Sequence, residues 1–189
     1  MTGRLRAVIF GRQGAGKGTQ CALLVAAYGT PHISTGDMLR LAVAEGTEFG
    51  RKANEFMAAG NLVPDEVIIG VVAERLAKAD VTAHGFLLDG FPRTQAQAAA
   101  LMDTIGQGGL DVVIDIDVPI PIVTERMKGR GRSDDTDEAI ARRLELYERE
   151  TAPVLAWFES LGKLERLNGV GSEDEVFRRL RTVIEKRLA

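Results

Sequence analysis

Three groups of residues in this chain have types and spacings suited to chemistry on phosphates. The first is G-R-Q-G-A-G-K-G-T, Gly11 to Thr19. Gly11, Gly14, Gly16 and Gly18 let the backbone curl around an anion with its N–H groups turned inward. A following helix start adds partial positive charge and Lys17 adds a full one. Such a loop is expected to hold the phosphates of a nucleoside triphosphate. The second group is D-G-F-P-R-T, Asp89 to Thr94. An acidic residue ending a strand beside a phosphate loop works on a magnesium ion or its waters. Arg93 can fork two hydrogen bonds to a phosphate or carboxylate. The third is S-T-G-D-M-L-R, Ser34 to Arg40, in which Thr35 and Arg40 lie about one helical turn apart and can face one ligand. Basic residues also crowd one segment: Arg126, Lys128, Arg130, Arg132, Arg142, Arg143 and Arg149. In a chain of net charge −3 this cluster suits a small anion rather than a long polyanion. The acidic residues among them, Asp134, Asp135, Asp137 and Glu138, leave a solvated helix face as the alternative.

These groups need a scaffold that brings them to one place. Leu5 to Phe10, just before the glycine loop, is an apolar run of the kind that forms a buried parallel strand. Thr19 to Tyr28, just after it, reads as a helix ending at Gly29. Further strand candidates are the segment around His32-Ile33, then Gly85 to Asp89, Val112 to Val118, and Lys163 to Leu167. Strands alternating with helices indicate a parallel sheet covered on both faces, with ligands at the carboxyl ends of the strands. The phosphate loop, Asp89 and the turn after His32 all fall at such ends. Residues 35–80 are helical in pattern throughout and read as a helical insertion between strands 2 and 3. Gly129 to Asp135, a short Gly/Arg loop between helices, reads as a mobile flap.

Composition narrows the class. The 189 residues suit one well-buried domain, with 45% hydrophobic and 27% charged residues as in ordinary globular proteins. No apolar run is long enough to span a bilayer, and neither a signal peptide nor an internal repeat is evident. The one cysteine, Cys21, excludes an internal disulfide and a zinc site built on several cysteines. A cytoplasmic location is the expected default. Aromatic residues make up only 5%, so neither a basic footprint nor a stacking platform for nucleic acid is present.

Six ordered stretches give the chain a family resemblance. They are the loop at 11–19, H-I-S-T-G-D at 32–37, G-N-L-V-P-D at 60–65, G-F-L-L-D-G-F-P-R-T at 85–94, G-R-G-R-S-D-D at 129–135 and G-S-E-D-E-V-F at 171–177. At these intervals the sequence resembles the adenylate kinases over essentially its whole length. The resemblance implies an α/β P-loop NTPase fold, with a five-stranded parallel sheet, helices on both faces, a helical AMP-binding arm and a short lid. In one domain, the core would be 1–33, 64–128 and 136–189, the arm 34–63 and the lid 129–135. The implied reaction is reversible transfer of the terminal phosphoryl group of ATP to AMP, giving two ADP, by a monomer that binds neither membrane nor nucleic acid.

Position by position, the resemblance implies that Gly14, Ala15, Gly16, Lys17, Gly18 and Thr19 hold the ATP phosphates. Arg126 would stack on the ATP adenine, Gly171 would touch it through its backbone, and Arg130 would face ATP. Thr35, Arg40, Asn61, Leu62, Val63, Gly90, Phe91, Pro92, Arg93 and Gln97 would hold AMP, with Arg132 and Arg143 reaching the phosphates between the nucleotides. Lys17, Arg93, Arg130, Arg132 and Arg143 would neutralise the transferred group. Magnesium would arrive with ATP, its waters ordered by Asp89, with no direct protein ligand expected. Capping offers blander roles: Thr35 as a helix N-cap, Thr94 with Gln97 as a capping box, and Ser172 with Glu175 as another. Ser172 and Glu175 are read as capping only. The chain departs from the family in having Gln13 where proline is usual. Its lid is short and lacks the cysteine tetrad of zinc-bearing relatives, so no zinc is expected. A UMP or CMP kinase on the same fold is the nearest rival reading, although Thr94, Gln97 and Leu62-Val63 resemble the adenine-accepting pattern. From another class, a switch that hydrolyses ATP slowly would need no second nucleotide site.

Overall fold

A computed structural model describes residues 4–106 and 108–189. Five strands form one all-parallel sheet: β1 (Leu5–Phe10), β2 (His32–Ser34), β3 (Gly85–Asp89), β4 (Val112–Asp117) and β5 (Leu164–Asn168). Their order is β2-β3-β1-β4-β5. Each lies where the apolar runs predict it, with small shifts at the ends. β4 stops one residue short of Val118, because Pro119 follows and cannot donate to a ladder. β5 starts at Leu164 because the N–H of Lys163 closes the preceding helix on the Phe158 carbonyl, 3.0 Å away.

Side chains alternate across the pleat and divide the core in two. Ala7 and Ile9 of β1, Leu87 of β3 and Val112, Ile114 and Ile116 of β4 point to one face. There they meet α1 (Lys17–Tyr28), α7 (Ile120–Gly129), α8 (Asp137–Leu146) and α10 (Glu173–Leu188). Val8, Phe10, Ile33, Leu88 and Val113 point to the other face. They are covered by α2 (Thr35–Ala44), α3 (Glu48–Ala58), α4 (Asp65–Leu76), α5 (Ala79–His84), α6 (Gln95–Ile105) and α9 (Ala152–Ser160). The helices α2 to α5 are the insertion expected between strands 2 and 3.

α1 begins at Lys17, two residues before the expected start. Gly16, at φ 92°, turns the chain left-handed straight into the first helical residue, and Gly29, at φ 67°, ends the helix as expected. Between α8 and α9 the chain makes a π-helical turn, Tyr147–Thr151, which the sequence reading does not anticipate. From β1 the chain passes to β2 and β3 on one side, then crosses to β4 and β5 on the other. The carboxyl ends of β1, β2, β3 and β4 therefore frame one crevice, the usual ligand position in such sheets. Among the described residues no helix is long and apolar enough to cross a membrane.

Gly85 sits where β3 enters the sheet beside β1. Its φ is 82°, and a Cβ there would lie 2.1 Å from the Leu5 carbonyl oxygen. Gly85→Ala is therefore expected to cost about 1–3 kcal/mol or more by forcing β1 and β3 apart. A urea melt checks this: the midpoint should fall with little change in slope, and an unchanged midpoint contradicts it.

Candidate functional site

The phosphate loop owes its shape to two crowded glycines. A Cβ on Gly11 (φ 144°) would lie 2.7 Å from the Ile116 carbonyl oxygen, and one on Gly14 (φ 85°) 2.6 Å from that of Val123. The loop is thus pressed against β4 and α7 with no room for another residue at either place. Ala15 is buried, and its N–H donates to the Arg12 carbonyl at 3.1 Å. Gly16, Gly18 and Thr19 follow at the helix start, the latter two exposed. Lys17 Nζ donates to the carbonyls of Gly11 (2.8 Å) and Arg12 (3.1 Å). Burial pushes its pKa below the ordinary lysine range, with the Asp89 charge working against that. Arg12 ties the loop to its surroundings: its guanidinium pairs with Glu148 (2.6 Å) and Asp117 (3.0 Å) and lies 5.4 Å from the centre of the Tyr147 ring.

At the ends of β2 and β3 lie Asp89, Thr35 and Arg93. Asp89 is 8% exposed. Burial alone would raise its pKa, but His32, with Nε2 3.5 Å from its carboxylate, and the charges of Lys17 and Arg93 hold it below the usual carboxylate range. Arg93 donates from Nε to the Gly90 carbonyl (2.8 Å) and has its own carbonyl fixed by the Thr151 hydroxyl (3.0 Å). Burial pulls the Arg93 guanidinium below its ordinary value, Asp89 opposes this, and the charges of Arg143 and Arg40 add to it. The N-cap of α2 is Ser34, whose hydroxyl accepts from the Asp37 N–H. Thr35 is not the cap: it is buried and donates to the Gly90 carbonyl at 2.9 Å. Arg40 pairs with Asp37 on its own helix.

The expected Thr94–Gln97 capping box is only half formed. Thr94 accepts from the Gln97 N–H, but Gln97 Oε1 accepts from the Arg93 N–H (2.7 Å) rather than from the cap residue. Both side chains also donate to Asp65 at the start of α4, each at 2.7 Å. One amide hydrogen and one lone pair of Gln97 remain for other partners. Ser172 and Glu175 form the full box expected of them.

A single cavity is lined by Lys17, Thr35, Arg40, Asn61, Leu62, Val63, the turn from Gly90 through Phe91 and Pro92 to Arg93, Gln97 and Arg143. The candidates Gly14 to Gly16, Gly18, Thr19, Asp89, Arg126, Arg130, Arg132 and Gly171 are outside its lining. Arg126 approaches the loop, donating to the Gly14 carbonyl at 3.4 Å. Gly171 precedes α10, which meets α1 where Gln20 donates to the Glu173 carbonyl (3.0 Å). In the 129–135 loop, Asp135 accepts from both nitrogens of the Arg130 fork (2.5 and 2.8 Å) and from Arg143 (2.8 Å). Arg143 also bonds Asp134 (2.5 Å) and the Met57 carbonyl (3.1 Å). Arg130 reaches Gln13 Oε1 as well (3.4 Å), a bond that proline could not accept through its side chain. Arg132 has no carboxylate within ion-pair distance among the described residues. Burial and its neighbours Arg130 and Arg40 pull its pKa down.

Sequence reasoning missed Asp65, Thr151 and the pairing roles of Asp37, Asp134 and Asp135. Asp65 closes the quoted G-N-L-V-P-D stretch, so an acid at a helix start was the available signal.

A family model described as adenylate kinase matches residues 9–163. An adenylate kinase of Xanthomonas campestris pv. campestris (strain B100) is 49% identical over 183 residues, covering 93% of this chain and 97% of the relative. One of Xanthomonas oryzae pv. oryzae (strain MAFF 311018) is 48% identical, covering 95% and 99%. One of Stenotrophomonas maltophilia (strain R551-3) is 45% identical, covering 96% and 100%.

Asp135 also makes a pH test. Its side chain is 2% exposed. Burial would raise its carboxyl, but the hydrogen bond and charge of Arg130, joined by Arg143, hold it below the ordinary value of 3.8. With the folded value below the unfolded one, its contribution to stability is full above the unfolded value and is lost as pH falls through the folded one. Asp135→Asn should lower stability at pH 7 by roughly 1–3 kcal/mol and flatten the acid limb of a stability–pH profile. Denaturant melts taken from neutral to acid pH measure both. Parallel acid limbs for the two proteins would contradict the assignment.

Proposed function

The chain belongs to the adenylate kinase family, and on that footing we propose how its residues move the terminal phosphoryl group of ATP to AMP, giving two ADP. It is a phosphotransferase, and the assignment of residues rests on one observation above all. Lys17 of the phosphate loop and the residues expected to hold AMP open onto the same cavity, with the Arg93 and Arg143 guanidinium groups beside them.

In this reading the backbone from Gly14 to Thr19, with Lys17, holds the ATP phosphates. Arg126 and the Gly171 backbone take the adenine of ATP. Thr35, Arg40, the 61–63 stretch, the Gly90 to Arg93 turn and Gln97 hold AMP. Gln97 presents its remaining amide hydrogen and lone pair to the adenine edge. An AMP phosphate oxygen attacks the terminal phosphorus of ATP, a new P–O bond forms, and the bond to the bridging oxygen of ADP breaks. No general base is needed, since the AMP phosphate is already ionised near pH 7. The protein's work is positioning and neutralising charge. Lys17, Arg93, Arg130, Arg132 and Arg143 supply that charge.

Magnesium supplies further neutralisation when it is carried in on ATP. An ionised carboxylate beside Lys17 fits a hard cation that takes most of its ligands from water and phosphate, so Asp89 would order its waters. Arg130 and Arg143, now held by Asp134 and Asp135, turn to phosphate when the nucleotides arrive. The arm (34–63) and the lid (129–135) close over the core to exclude water, which would otherwise take the phosphoryl group. We propose a cytoplasmic monomer that binds neither membrane nor nucleic acid.

Two measurements test this assignment. Arg93→Ala should weaken AMP binding ~10- to 100-fold and ATP binding much less, as titrations with each nucleotide alone would reveal. Equal weakening, or loss for ATP only, would mean the sites are reversed. Two adenosines joined by about five phosphates should bind far more tightly than ATP or AMP alone, because the second contact becomes intramolecular. That ligand should also protect residues 129–135 from protease. Affinity close to that of ATP, with the lid still cleaved, would overturn a two-site enzyme.

A further inference from the structure

Parallel register brings a second set of chemically active side chains together behind the phosphate loop. His32 stands opposite Leu87 in the β2–β3 pairing, so His32, Leu87 and Asp89 point to the face of the sheet that α1 covers. Cys21, one turn into α1, is buried on that same face. Cys21 Sγ, a ring nitrogen of His32 and a carboxylate oxygen of Asp89 all lie within 4.8 Å of one another. His32 Nε2 is 3.5 Å from Asp89 Oδ2 and is shut off from solvent with no hydrogen-bond partner of normal geometry among the described residues. Two ligands held ~2.0–2.1 Å from a tetrahedral zinc ion are ~3.3–3.4 Å apart. The histidine and aspartate thus already span one edge of such a tetrahedron, and the thiol lies within 4.8 Å of both.

We propose that Cys21, His32 and Asp89 form a binding site for Zn²⁺ or a similarly soft divalent cation, with water as the fourth ligand. The sulfur and nitrogen select against magnesium, which prefers an all-oxygen shell. Binding forms a metal–sulfur bond and breaks the S–H bond, the proton leaving to solvent. The imidazole would bind through the Nε2 lone pair with its one proton on Nδ1, any further proton leaving to solvent, and Asp89 would bind through its carboxylate. Burial pushes the free Cys21 thiol up, so it stays protonated and inert until a cation takes it. Lys17 does not compete for the space, its ammonium being bonded to the loop carbonyls of Gly11 and Arg12. Access is from the His32 side, where the ring is 22% exposed. A filled site withdraws Asp89 from the waters of magnesium, so the ion should slow phosphoryl transfer. This consequence rests on the role given to Asp89 above.

The test uses the full chain, reduced without a chelating thiol. Zn²⁺ alone is titrated against a chromogenic chelator, and Co²⁺ serves as a spectroscopic substitute. One ion per chain, release of a proton and a sulfur-to-cobalt charge-transfer band are expected. Cys21→Ser should abolish the band, and both Cys21→Ser and the less buried change His32→Asn should weaken zinc binding by ~10²-fold or more. His84→Asn, which alters the other of the two histidines, on the exposed end of α5, should bind as the parent does. Equal zinc affinity in parent and both site variants, or a cobalt complex without the band, would overturn the site. Zinc should slow the parent and leave Cys21→Ser unaffected. Tight, Cys21-dependent binding without that inhibition would keep the site and overturn the role of Asp89.

Discussion

Positive charge gathered half-buried at the carboxyl ends of the strands, with few carboxylates beside Lys17 and Arg93 to pair it, is the constraint on which the rest of this structure depends. Burial pulls both Lys17 and Arg93 below their ordinary pKa values, and the buried carboxylate between them is Asp89 alone. A charge in that position is costly unless something compensates it. Much of the compensation comes from neutral backbone: the carbonyls of Gly11 and Arg12 for Lys17 and of Gly90 for Arg93. Such acceptors keep the cations in place, yet bind them less strongly than an ionised oxygen would. The site is therefore preorganised for an anion with several charges.

The same constraint explains the glycine loop and the aspartates of the 129–135 loop. Carbonyls can turn toward Lys17 only because Gly11 and Gly14 take conformations closed to other residues and lie hard against β4 and α7. In the 129–135 loop, Asp134 and Asp135 occupy Arg130 and Arg143, while Arg132 forms no ion pair among the described residues and feels Arg130 and Arg40 more strongly than Asp37 and Asp134. The 129–135 loop is thus partly satisfied by its own acids, which leave Arg132 without an ion pair among the described residues.

What was legible in the sequence is what local spacing encodes. Apolar runs give β1, β3 and β4 to within a residue, because burial on both faces of a parallel sheet leaves little choice of side chain. The edge strands β2 and β5 are half-exposed and show only short patterns. Glycines before a lysine give the loop, and the long helical stretch after His32 gives the insertion. What was not legible depends on which distant groups meet. Ser34 and Thr35 are equally good caps by type, and only the approach of the Gly90 carbonyl makes Thr35 a donor into the site. Asp65 serves Thr94 and Gln97 across 29 and 32 residues, a distance over which no periodicity speaks. Asp135 looked like one acid in a mixed-charge loop, and its capture of two arginines is a property of the fold.

The π-helical turn at Tyr147–Thr151 sets the rotational phase between the two helices it joins. Its wider turn puts Tyr147 under Arg12 of the phosphate loop and Thr151 against the Arg93 carbonyl, tying both halves of the site to one stretch of backbone. Winding the same residues as an ordinary α-helix would rotate everything after them by about 100°. Val154, Leu155 and Phe158, all buried against the sheet, would then swing away from it. The extra residue is a phase correction between two helices, written into the backbone rather than into any side chain.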